Sequence, residues 1–280
     1  MAECILEIIK DSIRPQSLVT CVLAALSHVY VSLDVPDITK EEVIKKFVCG
    51  IIKSSTLAPR QRSRAMPTNV FRDFFRGWDN KSLTLKELRL KSITLLALVA
   101  MLRPSDIAPN ANLFECNSRE QNKFIFSCRQ LKFNDDGSLS ITIHGNKNDV
   151  KRTGFVIDIQ PAEDERLCPV KTLELYIQRT ASFRGQEGPV FLTLNKPYNP
   201  LSAKAVSNIL NESISLVGLS RNLYSAKSFR PTGATKAVSE GINPNIVQKT
   251  GRWKTTSVFF EHYVHSRVPK EYTNKLLSNG

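Results

Sequence analysis

No segment of this 280-residue sequence is long and apolar enough to read as a membrane span. The longest uncharged stretch, Pro15 to Leu33, falls just short of the roughly 20 apolar residues a spanning helix needs. Gln16, Ser17, Thr20, Ser27, His28 and Ser32 also interrupt it, so it predicts a buried amphipathic helix. A signal-peptide core is not expected either, because Glu3, Glu7 and Lys10 occupy the first turns. Paired cysteines are missing: none of the six (Cys4, Cys21, Cys49, Cys116, Cys128, Cys168) stands in C-x-x-C spacing. They read as reduced thiols of an intracellular protein. His262 and His265 have no cysteine pair beside them, so a zinc site is not expected. Several enzyme signatures are missing as well. There is no P-loop, no G-x-G-x-x-G, no H-E-x-x-H and no G-x-S-x-G, and no carboxylate cluster suited to a two-metal nuclease. Acidic residues are in short supply: 26 Asp and Glu face 39 Lys and Arg, a formal charge of +13. Such an excess draws polyanions, nucleic acid first. Hydrophobic residues at 41% and charged residues at 23% exclude wholesale disorder.

What is present reads as two domains, residues 1–76 and 77–280, mainly α with one small sheet. Leu18, Val22, Leu26, Val29 and Leu33 form a stripe at helical spacing, stopped by Pro36 and Asp37. Thr39 is the expected cap of a second helix with Glu41 and Glu42 in its first turn. That helix carries Val43, Ile44, Phe47, Ile51 and Ile52 mostly on one face. Arg60, Arg62 and Arg64 follow, either as a solvated surface or as phosphate contacts. A short helix is predicted over Asn69–Arg76, a hinge over Gly77–Ser82, and a strongly apolar helix over Leu85–Leu102 that Pro104 ends. Three strands of an antiparallel sheet come next. Phe124–Phe133 leads to the turn Asn134-Asp135-Asp136-Gly137, Ser138–Ile143 alternates like a half-buried strand, and Phe155–Ile159 follows a polar turn. Helices resume after Pro169 and after Ser202.

The chemistry-bearing residues are cations leading to a late tyrosine. Arg103 and Asp106 sit at the break after the apolar helix. Lys147 and Lys151 lie in the turn between the last two strands. Lys227 and Arg230 open a small-residue helix. Gly251-Arg252-Trp253 then leads to Tyr263. From about Leu85 onward this order resembles the tyrosine recombinases, the phage-integrase and Cre-like enzymes. It looks closest to those of eukaryotic mobile elements of the Crypton and DIRS type. Each piece alone is a weak signal; the specificity lies in all of them occurring in order.

The resemblance implies a helical core-binding domain in front of a mixed catalytic domain, closing as a clamp on double-stranded DNA. It also implies a synaptic tetramer of the chain on two DNA sites. Arg103 and Arg230 would bind the nonbridging oxygens of the reacting phosphate. Guanidinium groups suit that task because they stay charged and bind bidentately. Tyr263 would be the nucleophile, and Lys147, or Lys151 in its place, the general acid. Trp253 would donate its indole N–H to a phosphate oxygen, and Arg60, Arg62, Arg64, Lys151 and Arg252 would contact DNA. Neither metal nor cofactor is expected, because the phosphotyrosyl bond conserves the energy needed to reseal. The implied location is the nucleus.

Two departures stand out. Lys227 occupies the place where the family usually has histidine, and it is assigned to phosphate binding. The interval from Trp253 to Tyr263 is one residue longer than in Cre-like relatives. His144 is read as structural, and Asp106 as a residue that orients Arg103 or caps a helix. The alternative on the same fold is a domesticated, catalytically silent DNA-binding protein. A protein-interaction scaffold and a topoisomerase IB-like activity are further rivals.

Overall fold

A computed structural model of the chain describes residues 3, 5, 7, 15–54, 63–108, 126–143, 154–184 and 188–264. It divides into two compact units, Met1–Arg62 and Ser63–Gly280.

The first unit is built on helices α1 (Pro15–Ser32) and α2 (Glu42–Ser54), joined by a 3-10 turn at Ile38–Lys40. Ile5, Val19 and Ile51 form its buried centre, with Leu18, Val22, Leu23, Phe47 and Val48 packed around them. Thr39, expected to cap the second helix, lies inside the joining turn instead, three residues before Glu42, and Asp37 caps that turn. The Asp37 carboxylate accepts from the Thr39 amide at 3.0 Å, the Thr39 hydroxyl at 2.6 Å and the Ser27 hydroxyl at 2.5 Å. These bonds, Ser27's foremost, hold the carboxyl well below its ordinary pKa. Both apolar stripes are covered only in part: Leu33 is 67% and Val43 73% exposed.

The second unit holds α3 (Thr68–Arg76), α4 (Leu85–Val99), the short α5 (Pro104–Ile107), α6 (Pro169–Arg179), α7 (Ala203–Leu216), α8 (Phe229–Ser239), α9 (Pro244–Gly251) and α10 (Thr256–Tyr263). Helix α4 is its axle. Thr84 and Glu87 close a capping box at its start, and every residue from Leu90 to Ala97 is buried. It packs against α6, α7 and α8. A helix buried on all sides has no amphipathic stripe to read, which is why this one appears in the sequence as an apolar run. It ends at Val99, short of the expected Leu102. Leu102 and Arg103 lead into Pro104, and the residue before a proline is pushed out of helical backbone. Arg103 is accordingly extended, at φ −80° and ψ 156°.

The division between units falls earlier than residue 76. Phe71 and Phe75 of α3 lie in the core of the second unit, and the Phe71 ring meets Phe229 of α8 edge-on at 5.5 Å. Helix α3 therefore belongs with the C-terminal unit.

Strands β1 (Leu131–Phe133), β2 (Leu139–Ile143) and β3 (Phe155–Ile159) form one antiparallel sheet in the order β1-β2-β3. Ile141 pairs with Leu131 on one side and Ile157 on the other. Leu139, Ile141 and Ile143 face the core, and the alternation Ser140, Thr142 faces out. Gly137 closes the first hairpin at φ 79°, a left-handed position that suits glycine. Among the described residues no helix is long and apolar enough to cross a membrane.

Candidate active site

The site is built where four chain segments converge on a small apolar cluster separate from the main core. Met101, Ala234, Val247, Trp253, Phe259 and Val264 form that cluster, with Tyr263 packed against it. Gly233 lets α8 approach the end of α4, since a Cβ there would stand 2.2 Å from the Leu98 carbonyl oxygen. The approach brings Arg230, in the first turn of α8, beneath the break that carries Arg103.

Arg230 is buried, and the fold holds it from two sides. Its Nη1 donates to the Met101 carbonyl at 2.7 Å and its Nη2 to the Gly251 carbonyl at 2.7 Å. Its guanidinium carbon lies 4.7 Å from the Trp253 ring centre and 5.4 Å from that of Tyr263. Burial first, then the charges of Arg103 and Arg252, push its pKa down to about 9. It remains a cation at neutral pH.

Gly251-Arg252-Trp253 is a tight corner. A Cβ on Gly251 would fall 1.8 Å from the Trp253 ring, so the indole folds back over the glycine. The Trp253 ring also meets Phe259 at 5.0 Å and Tyr263 at 4.6 Å. Arg252 caps α9 in left-handed backbone, φ 59°. Its side chain is 1% exposed and its Nη2 donates to Asp106 Oδ2 at 2.5 Å. Asp106 in turn accepts from the Arg103 backbone N–H at 2.7 Å, and its other oxygen lies 4.0 Å from Arg103 Nη1. The Arg103 side chain is 38% exposed, so its outer face is open. Tyr263, half-buried at the end of α10, is tied by its carbonyl to the Thr235 hydroxyl at 3.2 Å.

The polar balance of this cluster is one-sided. Among the described residues, Arg230 Nε, Arg252 Nε and Nη1, and Trp253 Nε1 are all buried without a hydrogen-bond acceptor. Buried donors are ordinarily paired. A cluster of unpaired donors, three of its nitrogens on guanidiniums and one on an indole, is complementary to an anion with several acceptor oxygens.

The structure thus brings together Arg103, Arg230, Trp253 and Tyr263. Arg252, expected as a DNA contact, is buried in the same place. Its inward turn follows from the left-handed cap and the pull of Asp106. Lys227 is exposed on the 3-10 turn Ala226–Ser228 that leads into α8. Arg64 is exposed in the segment entering α3, and the Met66 amide pins that segment to α8 through the Thr232 hydroxyl at 2.8 Å. Lys147, Lys151, Arg60, Arg62, His144 and the His262 side chain lie outside the described residues. Sequence reasoning did not anticipate the Asp106–Arg252 pair, the Thr235 tie or the need for Gly233 and Gly251. Only the Gly-Arg-Trp triplet was a visible signal.

No family model and no curated protein matches the chain. Solved structures do. The XerH site-specific recombinase bound to palindromic difH substrate, in a post-cleavage complex, aligns at TM-score 0.52 and 10% identity, over 79% of this chain and 54% of that one. A lambda integrase dimer bound to a COC′ core site aligns at 0.54 and 15%, over 94% and 64%. The Tn1549 transposon integrase in complex with circular intermediate DNA aligns at 0.54 and 12%, over 99% and 83%. The chain spans about half to two thirds of the length of the first two of these. The fold is that of the tyrosine recombinases, mainly helical with one small antiparallel sheet.

Proposed function

We propose that the chain is a site-specific DNA recombinase that cuts and rejoins strands through a 3′-phosphotyrosyl intermediate. The observation that carries this reading is the cluster of buried, unpaired donors beside Tyr263. Structural neighbours include a recombinase and integrases described on DNA, in post-cleavage, dimeric and transposon-end or circular-intermediate complexes. The Tyr263 oxygen attacks the phosphorus, the Tyr–O–P bond forms, and the bond to the 5′-oxygen breaks. The phenol gives up its proton to solvent water, and the leaving 5′-oxygen takes one from the general acid, Lys147 or Lys151. Arg103 and Arg230 hold the nonbridging oxygens as charge builds on them, and Trp253 offers its indole N–H. Lys227, exposed at the start of α8, reaches the phosphate backbone. Attack by the 5′-hydroxyl of another strand reverses the steps.

The first unit acts as the core-binding half of a clamp on duplex DNA. Copies of the chain assemble on two DNA sites as a tetramer, in the nucleus, in the service of a mobile element of Crypton or DIRS type. Arg64 and the arginines preceding it add phosphate contacts.

The test is covalent capture. Wild type and Tyr263→Phe are incubated without added metal with a library of nicked duplexes of randomised sequence, then run on a denaturing gel. An adduct with wild type alone is the expected result. The second reading, a silent DNA-binding protein, rests on Lys227 standing where the family carries histidine. Equal, salt-sensitive DNA binding by both proteins with no adduct from either favours it. In that case Lys227→His is the variant to assay next.

A further inference from the structure

We infer that Arg252 is a third phosphate-binding guanidinium of the reaction, a catalytic residue, and that Asp106 is its positioning residue. This rests on the recombinase reading above. Three observations carry it.

The first is the state of the guanidinium itself. Its side chain is 1% exposed, yet only Nη2 has a partner among the described residues, while Nε and Nη1 are buried without one. A purely structural arginine in the interior spends its donors on carbonyls or carboxylates, because each one left over forfeits water without compensation. Arg184 illustrates this in the same unit: it donates to the Pro189 and Val190 carbonyls and to the Thr180 hydroxyl, leaving only Nε over.

The second is the backbone. Arg252 adopts φ 59°, ψ 42°, a region that disfavours side chains bearing a Cβ, at a helix end where glycine is the common occupant. With that conformation the guanidinium lies buried near Arg230 rather than in solvent. Strained positions of this sort cluster at functional sites, and here an unpaired buried cation coincides with one.

The third is company. The other unpaired donors of the cluster, Arg230 Nε and Trp253 Nε1, belong to residues that already frame Tyr263. Arg230 and Arg252 also repel each other, and both are relieved by the same bound anion. Asp106 offsets part of that repulsion while fixing one edge of Arg252. The exposed Lys227 cannot supply a buried donor in this position, so the interior donor comes instead from the corner that precedes α10.

Methylphosphonate substitution provides the test. A suicide duplex recovered by covalent capture is made with either a normal or a methylphosphonate scissile linkage, which removes the charged nonbridging oxygen. Wild type, Arg252→Ala and Arg252→Gln are compared. The glutamine variant retains an amide donor for Asp106, and melting curves report whether each protein is folded. On the normal linkage the expected loss in cleavage rate is about 100-fold or more, as for removal of one preorganised donor. On methylphosphonate the variants are expected within about 10-fold of wild type, because the charge they lack a partner for is gone. An equal loss on both linkages, or no loss on either, overturns the assignment and leaves Arg252 a scaffold residue. A wild-type protein that forms no adduct with either linkage overturns the recombinase reading itself. In Asp106→Asn the same pattern at smaller amplitude is expected if Asp106 acts through Arg252.

Discussion

Lys91 and Arg252 are both cations hidden inside the second unit, and their hydrogen bonds end differently. Lys91, fully buried in the middle of α4, donates to the Phe75 carbonyl at 3.1 Å and the Trp78 carbonyl at 2.9 Å, with the Phe75 ring 5.8 Å away. It clasps the end of α3 to the axle of the domain. Burial pushes its pKa down to about 8, with Asp164 and Asp79 opposing that shift and Arg166 adding to it. Among the described residues Arg252 has one carboxylate, and two of its nitrogens have no acceptor. The lysine's bonds are internal, so it serves the fold. The arginine's are incomplete, so it is poised for something that arrives. Burial alone does not separate a scaffold cation from a binding cation; the count of acceptors around it does.

The sharpest way to break this comparison is Arg230→Ala. Cleavage should fall by about three orders of magnitude or more, with duplex affinity changed only a few-fold, as read from single-turnover assays beside equilibrium binding. Lost stability with cleavage per folded molecule unchanged would make Arg230 a scaffold cation like Lys91. Gly251→Ala comes next. It drives a methyl into the Trp253 ring, so the corner must shift, with about 1–3 kcal/mol lost from stability and the site misaligned. Unchanged denaturation midpoint and activity would show that the indole moves freely.

Lys91→Met tests the other side. It should lower stability by about 1–3 kcal/mol, because two buried carbonyls lose a charged donor, while cleavage per folded molecule stays the same. The pH dependence has a definite sign. The folded pKa, about 8, lies below the ordinary lysine value, so between the two the unfolded chain holds the extra proton. Wild-type stability should therefore gain a rising contribution with pH across that window and none below it. Denaturant melts of Lys91→Met should lack that contribution. The smallest effect belongs to the exposed Arg64. Arg64→Ala should weaken binding alike on all sequences and reduce the slope of log affinity against log salt by about 1. A change confined to one sequence would make it a base-reading residue instead.

Much of the fold was legible because local rules and global packing agreed. The hairpin Asn134–Gly137, the alternation of β2 and Pro104 at the helix break each announce themselves within a few residues. Agreement failed where a choice depended on a distant partner. Thr39 was expected to open the second helix, but Asp37, held by Ser27 ten residues back, opens a 3-10 turn first and takes Thr39 into it. Helix α3 sits near the hinge in sequence, but Phe71 finds Phe229 and joins the second unit. In the candidate site, the order Arg103, Arg230, Trp253, Tyr263 could be picked out as a pattern. The place of Arg252 could not, because an arginine after glycine at a helix end reads as surface.

By itself, then, the sequence determined the mainly helical class, the three-stranded sheet, the basic charge and the set of residues from which a site is drawn. Periodicity, turn chemistry and composition act over a few residues and need no partner. Only the tertiary structure decided which cations are buried, which donors are left without acceptors, and that Asp106 and Arg252 meet across 146 positions of chain. Those outcomes depend on desolvation and on long-range contacts such as the fit of Gly233 against Leu98, which no local pattern encodes.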